Sequence, residues 1–527
     1  MSKKLFYNAR FLTLRSREEV VEALAVQDGR VVALGSRDDC ESILGNGFQR
    51  IDLFGYYVIP GLTDSHIHFA EFSKKQDWLD LSEVNSLQDT LHKVAQRASS
   101  LPAGSWLLGS GWTMNNWQDV NRPPTRQDLD NVAPNHLVAL FSRDFHSVWV
   151  NTLVLERAGI SRDTSAPQGG EIVRDASGEP TGWLLENAQD LIDHLLPDHS
   201  RDLPELIVKA SYKLLSRGIT SIHDFDGVDA IEAYKQLSSN RRIEFRVYKT
   251  IPAYHLETAI EQGLRTGQGD EWFRIGPVKF FSDGALGSRT AAMLEPYLDD
   301  PNNTGIEVMS LEELKEGIYK ANNNGIACAI HAIGDRANRN VLDAFEYNLE
   351  INTNFRSFRN RIEHVQHLHP SDLPRLAQLG IIASMQPIHC ISDMMAVDKL
   401  LGDRGRYSYA WNSLLAQGTS LAFGSDCPVE TLDPFVGIYA AVTRRRHEYA
   451  PNGWYPEERI SAYDALRAYT LGAAYASGEE SIKGVIDVGM LADFAVVSCD
   501  PLHCDPEALL ETEVLATYVG GEEVYTS

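Results

Sequence analysis

Six side chains in this sequence have the types and placing to hold metal: His66, His68, Lys279, His331, His364 and Asp426. The first two close the stretch Pro60-Gly61-Leu62-Thr63-Asp64-Ser65-His66-Ile67-His68, a His-x-His at the end of an apolar run. On a strand, residues two apart share a face, so two imidazoles stand side by side. Imidazole is the commonest side-chain metal ligand, and such a pair needs little further ordering to chelate an ion. Lys279 is the oddity, because Val278, Phe280 and Phe281 flank it. An ammonium there is poorly solvated, and burial favours the neutral amine. A neutral amine can add to carbon dioxide and become a carbamate, an anion with two oxygens able to bridge two ions. The plain alternative is a lysine paired with an acid such as Asp283.

Each candidate lies at or near the end of an apolar run, and the runs recur. After the His-x-His segment come 218–224, 245–251, 276–284, 326–335, 361–366, 381–387 and 420–426. Helical patterns separate most of them, for example Leu311 to Asn323 and Ser371 to Leu379. Eight such βα repeats predict an α/β fold, a closed (β/α)8 barrel of the TIM type. Active sites of such barrels lie at the C-terminal strand ends, where all six candidates fall. Singly, each has a bland reading: a strand-end histidine is commonly structural, and Asp426 ahead of Pro428 suits a helix cap. Six on one rim are hard to ascribe to coincidence.

The ends and one long gap complete the organisation. Residues 1–59 and 485–527 carry short strands with tight turns, Asp28-Gly29 and Gly520-Gly521 among them. Neither end has enough strands for a stable sheet, so a β-sandwich built from both is expected. The barrel takes 60–70 and 206–484. Residues 71–205 are too long for one βα unit and read as an inserted subdomain lying over the barrel mouth.

Bulk properties narrow the classes. A chain of 527 residues is long enough for about three domains, or one large barrel with additions. The 73 acids against 48 bases give a net charge of −25, which argues against nucleic acid or an anionic membrane surface as partner. No secretory leader and no membrane-spanning run is read, and six scattered cysteines with no Cys-x-x-Cys fit reduced thiols, so a cytoplasmic protein is expected.

The motifs together resemble a known family. The His-x-His segment, Lys279 with Phe281-Ser282-Asp283-Gly284-Ala285-Leu286-Gly287-Ser288-Arg289-Thr290, His331-Ala332-Ile333-Gly334-Asp335, Arg361-Ile362-Glu363-His364 and Gly424-Ser425-Asp426 are similar to the metal-dependent amidohydrolase superfamily. Within it they resemble the amidohydrolase family 3 branch, which includes N-substituted formamide deformylase. The inserted segment joins in through Pro123-Pro124-Thr125-Arg126, Trp149-Val150-Asn151 and Gly169-Gly170-Glu171-Ile172-Val173-Arg174-Asp175. The resemblance implies two divalent ions, zinc first, with iron or manganese also compatible. His66, His68 and Asp426 would hold one, His331 and His364 the other, and a carboxylated Lys279 would bridge them. Some superfamily members use a single ion.

The chemistry so implied is hydrolysis of a non-peptide amide-type C–N bond by metal-bound hydroxide, the substrate a small N-substituted amide or formamide, cyclic forms included. Asp426 would accept the water proton and pass it to the departing nitrogen. No Gly-x-Ser-x-Gly elbow argues for a serine nucleophile. His146, His223, His389, Asp283, Arg289 and Trp112 are the candidate substrate contacts, Trp112 for an apolar substituent. Two other readings stay open: a mononuclear, deaminase-like enzyme, and a catalytically silent ligand-binding or regulatory protein. The partner is a small molecule; a homodimer also stays open.

Overall fold

Eight apolar runs become eight parallel strands in a computed structural model that describes residues 2–114, 117–120, 122–143, 147–167, 169–197 and 202–527. They are β1 (Leu62–Ile67), β2 (Ile219–Asp224), β3 (Arg246–Pro252), β4 (Phe273–Phe281), β5 (Cys328–Ala332), β6 (Arg361–His364), β7 (Ile382–Met385) and β8 (Leu421–Phe423). Their order in the sheet is their order in the chain. Buried on both faces, such strands read as continuous apolar runs rather than alternating ones.

The seam between β8 and β1 closes just past Phe423. The Asp426 N–H donates to the His66 carbonyl at 2.7 Å, and the His68 N–H donates to the Cys427 carbonyl at 2.9 Å. Asp64 fastens the seam from β1, accepting the N–H groups of His66 at 3.1 Å and Ser425 at 3.0 Å. Gly424 is required here, because a Cβ would stand 2.4 Å from the His66 nitrogen. Register then steps the site residues around the rim: Phe281 lies beside His331, and Ala332 beside His364.

Helices cover the outside of the barrel. Leu311–Asn323 starts at Ser310, whose side chain accepts from the Glu313 N–H while the Glu313 carboxylate takes the Ser310 N–H, a capping box. Its buried side chains are Leu314, Ile318, Ala321 and Asn322, one stripe at helical spacing. Among the described residues no helix is long and apolar enough to cross a membrane.

Two sheets draw on both ends of the chain. One joins Lys3–Tyr7, Ala23–Gln27, Arg30–Gly35 and Gln49–Asp52; the other joins Arg10–Leu12, Val20–Val21 and Tyr57–Pro60 to Phe494–Val497, Val514–Val519 and Glu522–Thr526. Phe6, Leu24, Val58, Phe494 and Tyr518 meet in one core between them. Asp28 and Gly29 both take positive φ (50° and 82°), the geometry a two-residue hairpin turn needs.

The chain divides into two compact units, Met1–Ser73 with Leu203–Ser527, and Lys74–Asp202. The second has its own six-stranded sheet, ordered Gly170–Arg174, Pro180–Glu186, Ser147–Val150, Leu137–Ser142, Trp106–Trp112, Leu79–Asp80. Trp112, Trp117 and Trp149 pack together in its core, with Trp112 and Trp117 stacked at 5.8 Å.

One buried ion pair ties the barrel to the C-terminal strands. Arg246 on β3 donates to both oxygens of Asp493, at 2.6 and 2.8 Å, with both side chains at most 5% exposed. Asp493→Ala strands the guanidinium without its partner, and a loss of about 3–5 kcal/mol is expected in urea unfolding. A loss under about 1 kcal/mol would mean that water reaches Arg246 in the variant.

Candidate metal centre

His66 and His68 emerge at the top of β1 with their Nε2 atoms turned to one point. Each Nε2 lies 3.6 Å from Asp426 Oδ1. Ligand atoms of all three residues fall within 4.8 Å of one another, a spacing one ion can bridge. The far ring nitrogens are held by carboxylates: His66 Nδ1 is 2.6 Å from Glu363 Oε2, and His68 Nδ1 is 2.9 Å from Asp226 Oδ1. A carboxylate only accepts, so each Nδ1 carries the proton and each Nε2 lone pair is free for a cation.

His331 and His364 stand beside them, with ring centres 4.7 Å apart and His364 4.9 Å from His66. His364 Nδ1 is 2.8 Å from Gln386 Oε1, which leaves its Nε2 free. His331 is the other way round. Its Nε2 is 3.1 Å from the Gly284 carbonyl, so the proton is on Nε2 and Nδ1 is the available lone pair. His364 and Asp426 both adopt left-handed backbone, φ 74° and 58°. Such strain gathers where surrounding structure fixes a functional side chain.

Burial sets the protonation states. It drives His66 and His364 well below the ordinary imidazole range, with neighbouring cationic groups adding to the effect. It takes His331 down to about 3, with Lys279 contributing. Neutral imidazole is the form that ligates. At His68 burial pulls the same way, but the Asp226 hydrogen bond and charge outweigh it and the pKa rises.

Lys279 is 4% exposed on β4. Among the described residues no carboxylate lies within ion-pair distance of its amine, which instead sits over the rings of Phe225 and Phe281 at 4.7 and 4.8 Å. Burial, partly countered by Glu363 and Asp426, brings it down to about 8. The alternative pairing with Asp283 is not made. Asp283 accepts three backbone N–H groups instead, from Ala292, Ile333 and Gly334 at 2.8, 3.0 and 2.8 Å.

Beneath the centre lies a second row that the sequence reading missed. Arg361, fully buried, donates to both oxygens of Glu363 and also to the Ser65 carbonyl, Ser384 Oγ and His223 Nδ1. Phe225 stacks flat on His66, ring centres 3.9 Å apart. The one available signal was Arg361 and Glu363 two apart on a strand beside His364. Asp226 and Gln386 had none.

The expected substrate contacts divide. His389 faces the centre, its Nε2 3.6 Å from Asp426 Oδ2 and without a hydrogen-bond partner. His223 is fully buried, with Nδ1 2.9 Å from the Arg361 guanidinium and Nε2 without a hydrogen-bond partner. Trp112 lies in the interior of the inserted segment. Its ring is 1% exposed in the core of the Lys74–Asp202 unit, and its indole N–H donates to the Leu140 carbonyl at 2.8 Å. Asp283 anchors loop backbone, with His331 Nε2 3.4 Å from its Oδ1. Arg289 is paired with Asp299 at 2.6 Å. His146 lies outside the described residues.

Comparison with known proteins follows the same lines. The family model described as "Amidohydrolase family" matches residues 49–525. Protein LONG AFTER FAR-RED 3 of Arabidopsis thaliana is 35% identical, over 99% of this chain and 91% of its own. N-substituted formamide deformylase of Arthrobacter pascens is 28% identical, over 99% of this chain and 98% of its own. A solved structure of an uncharacterized metal-dependent hydrolase from Pyrococcus horikoshii superposes with a TM-score of 0.80 at 28% identity, covering 96% of this chain and 99% of that one.

Proposed function

This chain belongs to the amidohydrolase family, and within it we propose an enzyme that hydrolyses a non-peptide amide-type C–N bond in a small N-substituted amide or formamide. One observation carries the reading. His66 and His68 converge on Asp426, His364 and His331 stand beside them, and each imidazole has one nitrogen tied back and the other free. Imidazole nitrogen with carboxylate oxygen suits zinc, and also iron or manganese. His66, His68 and Asp426 would hold one ion, and His331 and His364 a second, with a carboxylated Lys279 between them. Bound divalent ions supply Lewis acidity to a carbonyl oxygen and to water.

The protein's own groups do the rest. Asp426 turns Oδ1 to His66 and His68 and Oδ2 to His389. It accepts the proton of the attacking water and returns it to the leaving nitrogen, which must be protonated to depart as an amine. His389 presents Nε2 on the Oδ2 side, where it can hydrogen-bond the substrate carbonyl or the leaving group. Lys279 is carboxylated when its neutral amine attacks carbon dioxide, forming an N–C bond and releasing one proton. The substrate class follows the similarity to the N-substituted formamide deformylase of Arthrobacter pascens.

The test is amine release from a panel of N-substituted formamides, simple anilides and cyclic amides. It uses protein grown with zinc and purified with bicarbonate and no chelator. Turnover that a chelator abolishes and zinc restores is expected. Full metal content without turnover on any of them, but with ammonia release from amino-substituted heterocycles, would replace this reading by a deaminase.

A further inference from the structure

The four imidazoles differ in what stands behind them. Behind His66 is a full carboxylate, Glu363, at 2.6 Å, with both side chains at most 1% exposed. Behind His68 is Asp226 at 2.9 Å. Behind His364 is the neutral amide oxygen of Gln386 at 2.8 Å. His331 Nε2 leans on the Gly284 carbonyl at 3.1 Å, with the Asp283 carboxylate, which accepts three backbone N–H groups, further off at 3.4 Å. A carboxylate accepting the Nδ1 proton pushes electron density to Nε2 and makes the ring a stronger ligand than an amide or carbonyl partner does. Arg361 donates to both Glu363 oxygens and so fixes that carboxylate in place and in its charged form.

A second observation points the same way. Among the histidines, cysteines, aspartates and glutamates of the described residues, the group of three with ligand atoms within 4.8 Å of one another is His66, His68 and Asp426. That set is gathered before any ion arrives, so its ordering cost is already met. His331 and His364 are a pair, one protein ligand short of that set.

We propose that Glu363, oriented by Arg361, is a positioning residue that makes the His66/His68/Asp426 subsite fill with metal before the His331/His364 subsite. This rests on the metal-dependent reading above and goes beyond it, since that reading would stand with two subsites of equal affinity. Neither Glu363 nor Arg361 touches the ion in this account; both act through His66.

The experiment is a zinc titration of chelator-stripped protein in bicarbonate buffer, followed by calorimetry and by competition with a chromogenic chelator. Wild type is expected to show two events, the first tighter. Glu363→Gln keeps an amide oxygen toward His66 and removes the charge; it should weaken the first event by about 10- to 100-fold and leave the second in place. Gln386→Glu places a carboxylate behind His364 and should strengthen the second event by a similar factor, about 10-fold or more, a gain that misfolding cannot imitate. Thermal melts of the stripped proteins confirm that the variants fold. Two indistinguishable events in wild type, or a folded Glu363→Gln with its first event unchanged, overturn the inference and leave the hydrolase reading intact. No zinc uptake by wild type overturns both.

Discussion

Asp426→Asn is expected to lower kcat/KM by about 10³-fold or more while the barrel stays folded. The proposed reading gives this carboxylate two roles, ligand and proton acceptor. Oδ1 stands 3.6 Å from the Nε2 atoms of His66 and His68, and Oδ2 stands 3.6 Å from His389 Nε2. Asparagine keeps the shape but loses the charge and cannot take a proton. It is also the right probe for the backbone, because Asp426 sits at φ 58°, where asparagine is among the residues best tolerated. The seam hydrogen bond from the Asp426 N–H to the His66 carbonyl is a main-chain bond and survives the change. Metal content measured alongside kinetics separates the roles. Metal retained with kcat collapsed marks the proton acceptor, whereas metal lost marks the ligand. Activity within about tenfold of wild type would remove Asp426 from the proton path.

The parts of this site legible in the sequence are those that strand periodicity carries. Val278-Lys279-Phe280-Phe281 announces itself, because a lysine inside a buried parallel strand contradicts its surroundings. His66-x-His68 does so by spacing alone. The eight strands were legible for the same reason, since strands covered on both faces leave continuous apolar runs. What stayed hidden depends on which strands adjoin. Glu363 reaches His66 across 297 residues of sequence, and Asp226 reaches His68 across 158. No local pattern encodes such a meeting. His364 was legible as a ligand although simple alternation would turn it away from Glu363; its left-handed φ brings both side chains to His66. Composition alone does not separate a pocket wall from a core: Trp112, offered as a contact for an apolar substituent, packs with Trp117 and Trp149 in the core of the Lys74–Asp202 unit.

Lys279→Ala should bring the metal content from near two ions per chain to near one, with kcat/KM down by about 10³-fold, because Lewis-acid stabilisation of a developing charge is worth several kcal/mol. The physical case begins with the amine. Carboxylation needs the unprotonated form, and burial sets this lysine at about 8. At pH 7 roughly one such amine in ten is neutral, against roughly one in three thousand for an ordinary lysine. The amine sits over two rings with no carboxylate at ion-pair distance among the described residues, so burial outweighs the more distant charges of Glu363 and Asp426. The sign of the pH effect follows: stripped protein should take up its second ion more readily as pH rises from 6 through 8, and more readily with bicarbonate than in buffer freed of carbon dioxide. Short carboxylic acids should restore part of the activity of the alanine variant, because the vacated space can admit a carboxylate in place of the carbamate. One ion per chain in both proteins, with no bicarbonate dependence, would make Lys279 a structural residue and move the enzyme to single-ion chemistry on His66, His68, His331 and Asp426.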